Sequence, residues 1–232
     1  MTRPSHGSSH GSGHDPGPEH LVRAARASGV TDERLLRALR AIPRAAFVPA
    51  SRRAAAYADV PVPIDHGQVT TQPSLVAMMV AALGLSGDEH VLEIGSGYGF
   101  QTALLARLAA SVVGIERWPD MAERARANLA AQGIENAEIL TGDGTLGMAD
   151  RAPYDAVVVS AAFPRVPPPL IEQLRDGGRL VQPIGPGGQE LVELYERTPR
   201  GLVRRRSVVP AHFVRLYGEH GYPPTAPFED TG

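Results

Sequence analysis

The run Val91-Leu92-Glu93-Ile94-Gly95-Ser96-Gly97-Tyr98-Gly99-Phe100-Gln101 decides the fold. A short apolar strand ends in a cluster of glycines, and a helical pattern opens straight after it. Glycines there let the backbone turn sharply and approach a ligand closely. In a parallel sheet such a turn stands at the carboxyl edge, where these folds bind their ligands. Downstream, strand and helix alternate. Residues 111–115 read as a strand, and a helix opens at Pro119 and ends at Gly133. Further strands are expected at 137–140, 156–159 and 179–183, with a short helix over 169–175. The late runs 191–195 and 212–216 alternate enough to be antiparallel strands. The pattern predicts a doubly wound, mostly parallel α/β sheet with antiparallel C-terminal strands.

Upstream, Pro73 suits a first helical position, and Val76, Met79, Val80 and Leu83 share one face before Gly84 stops the helix. Leu21, Val22 and Ala25 suggest an earlier helix. Asp32 is placed to cap another, in which Leu35, Leu39 and Ile42 line one face before Pro43. Residues 44–72 carry Pro49, Pro61 and Pro63 and little periodicity, so an extended loop wrapping the front of the domain is expected. Loops of that length are often functional. Residues 1–20 are Gly, Ser, Pro and His with almost nothing to bury, and read as a disordered leader. The expected organisation is a leader (1–20), a helical and loop cap (21–72), the main domain (73–222) and a loose tail (223–232).

The 232 residues suffice for one large domain with an appendage. Twenty-three basic side chains against 25 acidic ones leave no strong field for nucleic acid or a membrane surface. The absence of cysteine excludes disulfides, thiolate metal sites and cysteine nucleophiles. No run of about 18 apolar residues is present, and the first residues lack the apolar middle of a secretory signal. A cytoplasmic monomer is expected.

Three acids refine the glycine loop. Glu93 lies two residues before Gly95, where it would repel a pyrophosphate and welcome a cation. Phe100 stands where the G-x-G-x-x-G dinucleotide pattern needs its third glycine. S-adenosylmethionine carries an amino group, a sulfonium and no phosphate, and fits better. Glu116 ends the next strand about 20 residues on, placed to accept both ribose hydroxyls. Asp143, after the third strand, is placed for the adenine amino group. Gly95, Ser96, Gly97, Tyr98, Arg117, Gly144 and Ser160 complete the expected donor site. A nicotinamide-dependent oxidoreductase is the alternative from another class, and a module that binds the donor without turnover is a third.

The acceptor is constrained by what is missing. The position after the fourth strand reads Val159-Ser160-Ala161-Ala162-Phe163-Pro164, without the Asn-Pro-Pro-aromatic or Asp-Pro-Pro-aromatic loop of base amino methylation. Arg204-Arg205-Arg206 reads as a solvated edge rather than an RNA site. An ordered set of segments is more telling: Pro43-Arg44-Ala45-Ala46-Phe47-Val48-Pro49, Ala56-Tyr57-Ala58-Asp59, Pro61-Val62-Pro63-Ile64, Gly67-Gln68-Val69-Thr70-Thr71-Gln72-Pro73, Gly142-Asp143-Gly144 and Gln182-Pro183-Ile184-Gly185. With the glycine loop, this set resembles the protein-L-isoaspartate O-methyltransferase family from about Asp32 to Tyr217.

The resemblance implies methyl transfer from S-adenosylmethionine to the α-carboxylate of isoaspartyl residues in aged proteins. The ester then cyclises to a succinimide that partly reopens to aspartate. The family usually has Gln-Thr-Ile-Ser after that glycine, its serine being assigned to catalysis. Here Thr71 stands at the serine position, with Val69 and Thr70 before it. The hydroxyl survives on a stiffer, bulkier side chain. A relative specialised to methylate an aspartate in a ribosomally made peptide is therefore the second reading. Gln68, Gln72, His66 and Val214 are the expected substrate contacts. A carboxylate acceptor has a reference pKa near 4 and needs no general base. The unpaired amides and dipole of the helix opening at Pro73 would attract an anion. The acceptor carboxylate is accordingly expected at that helix mouth, steered by Thr70 and Thr71.

Overall fold

The computed structural model describes residues 17–186 and 188–223. Most of the expected leader, and all of the expected tail but Pro223, lie outside them. The helix α1, Pro18–Ala27, starts three residues earlier than the leader reading allowed. Pro18 opens it, and the His20 ring packs back with Nδ1 2.8 Å from the Tyr57 carbonyl. Residues 18–20 are thus helical. Asp32 caps α2, Glu33–Ala41, accepting from the amides of Arg34 and Leu35.

The front segment is more structured than a loop. It contains 3-10 turns at Arg44–Phe47, Ala50–Ala55 and Asp65–Gly67 and a two-stranded ribbon, β1 (Val62–Pro63) against β2 (Val69–Thr70). Elements this short have no period to read. The helix α3, Pro73–Leu83, ends on Gly84 in the left-handed conformation. It is buried on nearly every side, beyond the single face expected, because α1 packs on it from outside and the sheet from within.

The sheet has the order β5-β4-β3-β6-β7-β8-β9. Its strands are β3 (His90–Ile94), β4 (Ser111–Glu116), β5 (Ala137–Thr141), β6 (Tyr154–Val159), β7 (Leu174–Ile184), β8 (Glu190–Thr198) and β9 (Gly201–Ala211). The first five are parallel and the last two antiparallel. The helices α4 (Phe100–Ala106) and α5 (Pro119–Ala131) carry the chain outward from β3 to β5. It then returns to β6 and leaves the other way through α6 (Pro168–Glu172). The direction of winding reverses between β3 and β6. Ligands bind at such a point in open α/β sheets.

Two expectations about the edge are corrected. The strand β7 begins at Leu174, not 179, with a register break against β6. The second late strand is β9, not 212–216. Residues 201–211 show no apolar alternation because this edge strand is mostly solvated, and its arginines pair with β8: Arg204 with Glu193 and Arg205 with Glu196, at 2.8 and 2.9 Å. Residues 212–217 instead run back over the carboxyl edge of the sheet. There the Ala162 amide donates to the Val214 carbonyl at 2.7 Å and the Leu216 amide to Ala162 at 2.8 Å.

Candidate active site

The turn after β3 is held from both neighbours. The Gly95 amide donates to the Ile115 carbonyl at 2.8 Å, and the Ser160 amide to the Ile94 carbonyl at 2.9 Å. Gly95 and Gly97 adopt φ of +83° and +56°, which side chains disfavour. A crevice opens above this turn. Its floor is residues 94–98, one side is Ile64 and Gln68 to Thr71, and the other is Glu116 to Trp118. Val214 to Tyr217 close it from the C-terminal side. The Arg117 guanidinium lies between the rings of Trp118 and Tyr217, 4.8 and 5.1 Å from their centroids.

Glu116 is buried at the end of β4, with Oε2 accepting from the Gly97 amide at 2.9 Å and Oε1 from the Trp118 amide at 3.1 Å. Burial raises its carboxyl above the usual carboxylate range, and the backbone amides pull it back. Each oxygen keeps a lone pair for a sugar hydroxyl. The Ser96 hydroxyl is buried beneath the turn, beside Gly114 of β4 and the Glu93 carboxylate. Glycine backbone and a buried acid facing the crevice fit a nucleoside without phosphate.

Other expected donor contacts stand apart from the crevice. Glu93 is fully buried beneath the turn, not on its surface. Strand alternation puts it on the side of Val91, under α4, where it accepts from Gln101 Nε2 at 3.0 Å and from the Thr102 hydroxyl. Burial pushes its carboxyl up to about 7 against those bonds. The Asp143 carboxylate accepts from the Thr145 amide and hydroxyl and from the Glu219 amide, at 2.7–2.8 Å. Gly144 lines the crevice, whereas Asp143 does not. Tyr98, by contrast, is buried in the crevice floor, its hydroxyl donating to Asp65 and accepting from Arg124.

A second cavity lies beyond the first, between α3 and residues 209–214. Val69, Thr71, Ser160 and Val214 line both. Thr70 lines only the first. Gln72 lines only the second, its amide donating to Asp59 at 2.9 Å and to the Ser74 hydroxyl at 3.0 Å. Gln68 borders the first cavity and donates to the His66 carbonyl. His66 lines neither cavity: its ring stacks on Trp118 with centroids 4.0 Å apart, and Nε2 lies 2.9 Å from Asp120.

The expected docking place at the mouth of α3 is taken. Asp59 Oδ1 accepts the Ser74 amide at 2.8 Å, so a carboxylate of the chain itself caps that helix. Sequence reasoning placed Asp59 only within a family-like segment and missed this cap, which comes from 15 residues upstream. It also missed Arg44, whose signal was a single cation inside the apolar run Ile42 to Pro49.

A doubly wound sheet with this turn, acid and crevice is that of a Rossmann-like, S-adenosylmethionine-dependent methyltransferase. Comparison narrows the class. The family model for Protein-L-isoaspartate(D-aspartate) O-methyltransferase matches residues 17–221, and the chain belongs to that family. The protein-L-isoaspartate O-methyltransferase of Methanoculleus marisnigri is 50% identical over 198 residues, covering 85% of this chain and 89% of its own. A solved protein-L-isoaspartate O-methyltransferase superposes with a TM-score of 0.77 at 29% identity, over 88% of this chain and 67% of the other. A Plasmodium falciparum structure of the same description, in complex with S-adenosyl-L-homocysteine, has a TM-score of 0.74 at 19% identity, over 87% and 98% of the two chains, and shares the fold.

Proposed function

We propose that the chain methylates the α-carboxylate of isoaspartyl residues with Thr71 at the point of transfer. One observation carries the assignment: Thr71 is on the wall shared by the nucleoside crevice and the groove beyond it. A donor in the first and a peptide in the second would meet there. Bound S-adenosylmethionine supplies an electrophilic methyl group; the carboxylate oxygen forms the new O–C bond as the C–S bond breaks, its electron pair staying on sulfur. No proton moves, so no base is required of the chain.

What the residues contribute is placement and dryness. Glu116 and the glycine turn would hold the nucleoside, and Arg117, Trp118 and Tyr217 would cover it. The Thr71 hydroxyl would orient one carboxylate oxygen. Bringing the reacting atoms to about 3 Å, in line and without water, supplies most of the acceleration in such a step. The ester cyclises to succinimide with loss of methanol, serving repair.

The partner is a peptide, not a nucleic acid. Arg204 and Arg205 are held by glutamates, and the loop after β6 lacks the base-orienting motif. We read the enzyme as a cytoplasmic monomer; no helix among the described residues is long and apolar enough to cross a membrane.

Methanol release from an isoaspartyl peptide and its aspartyl twin tests the assignment. Turnover is expected on the first only. Turnover confined to one aspartyl peptide sequence would point to the specialised relative instead. Thr71→Val is expected to lower kcat at least tenfold with S-adenosylhomocysteine affinity kept. Full turnover in that variant removes Thr71 from the chemistry.

A further inference from the structure

Arg44 is the largest fully buried side chain of the molecule's described residues, and it carries a charge. Nη1 donates to the carbonyls of Ala56 at 3.0 Å and Ala58 at 3.1 Å. Nη2 donates to the Val60 carbonyl at 3.0 Å, the Thr70 hydroxyl oxygen at 2.8 Å and the Thr71 carbonyl at 3.3 Å. The guanidinium also lies 5.8 Å from the centroid of Phe100, at the start of α4. None of the ion pairs among the described residues includes it. Asp59, the acid whose charge acts on it, is turned to Ser74 and Gln72. Burial lowers the guanidinium to about 10, which leaves it charged at neutral pH.

Burying an arginine against neutral dipoles costs more than leaving it in water. Holding the front segment together would not by itself demand a charge. The two acceptors nearest the crevice are Thr70 and Thr71, the corner where the acceptor is placed above.

The geometry points to Arg44 as a positioning residue for methyl transfer, acting through Thr70. A hydroxyl has one proton to give and two lone pairs. With a guanidinium on one lone pair, the Thr70 proton is left to donate into the crevice that Thr70 lines, and the charge polarises that O–H. The anion it meets is the acceptor carboxylate, whose other expected attraction, the mouth of α3, is filled by Asp59. Thr70 and Thr71 then hold the two carboxylate oxygens side by side. Thr70 is the group in contact; Arg44 aims and charges it. The inference rests on the acceptor reading given above.

The test uses the full chain, with three single variants and one double. Steady-state kinetics on an isoaspartyl peptide, S-adenosylhomocysteine binding by calorimetry and Tm are measured for each. Thr70→Val is expected to lower kcat/KM about tenfold or more, chiefly through KM, with donor affinity within about twofold of wild type. Thr70→Ser, which keeps the hydroxyl, is expected to restore most of the loss. Arg44→Lys cannot reach five acceptors and is expected to lower both kcat/KM and Tm. In the Thr70→Val background, Arg44→Lys should still lower Tm but add nothing to the loss of kcat/KM. A purely structural arginine would move Tm and kcat/KM in either background, so multiplying effects overturn the inference. An indifferent Thr70→Val overturns it alone, and is decisive even if Arg44→Lys fails to fold. Wild-type protein that binds the donor yet forms no ester on the peptide overturns the acceptor reading with it.

Discussion

Glu93 and Glu116 stand near the carboxyl ends of adjacent strands, are both buried, and do different work. Glu116 faces the crevice and Glu93 the core under α4. Replacing Glu116 by Gln keeps the shape but sets an amide N–H against the amide of Gly97 or Trp118. Affinity for S-adenosylhomocysteine is expected to fall tenfold or more in calorimetry. For Glu93 the expectation concerns stability. Burial raises its carboxyl from 4.5 to about 7, so between those values the folded chain keeps a proton that the unfolded chain has released. Wild-type stability should therefore fall as pH rises through this window and level off above it, by roughly 3 kcal/mol at the limit. Glu93→Gln escapes the loss. Its Tm relative to wild type should rise between pH 5 and pH 8 in parallel melts, and a constant difference would show that Glu93 is ionised throughout.

At the scale of elements, legibility followed periodicity. The strands β3 to β6 and the helices α3 and α5 were readable because their apolar patterns, prolines and terminal glycines agree. The front segment was not, since 3-10 turns of three to six residues carry no repeat. Its order comes from tertiary bonds to Arg44 and Asp59. The edge strand β9 was missed because a solvated strand has no reason to alternate. The site divides likewise. The glycine turn and Glu116 were readable from spacing, but the inward turn of Glu93 and the engagement of Asp143 depend on which face each neighbour occupies. Asp59 caps α3 from a distance, so Asp59→Ala should cost about 1 kcal/mol or more in denaturant melts. It should also free an anion site at that helix mouth. No destabilisation would mean that water replaces the cap.

For the molecule as a whole, the crevice is assembled from parts far apart in the chain, so filling it should brace all of them. S-adenosylhomocysteine at about 100 times its Kd stabilises by about 2.7 kcal/mol, which for a domain of this size is a rise in Tm of roughly 5–10 °C. NAD at the same concentration is expected to do nothing, and an equal shift with NAD would reopen the oxidoreductase reading.

The roof contributed by Val214 to Tyr217 also bears on how the protein comes into being. On a translating ribosome the sheet through β8 can emerge while those residues are still inside the exit tunnel. Such a nascent chain has its glycine turn and Glu116 but nothing opposite Arg117 and Trp118 to cover a nucleoside. Donor capture should therefore begin only once Tyr217 has left the tunnel, and stalled chains that stop short of Tyr217 should emerge unable to retain it.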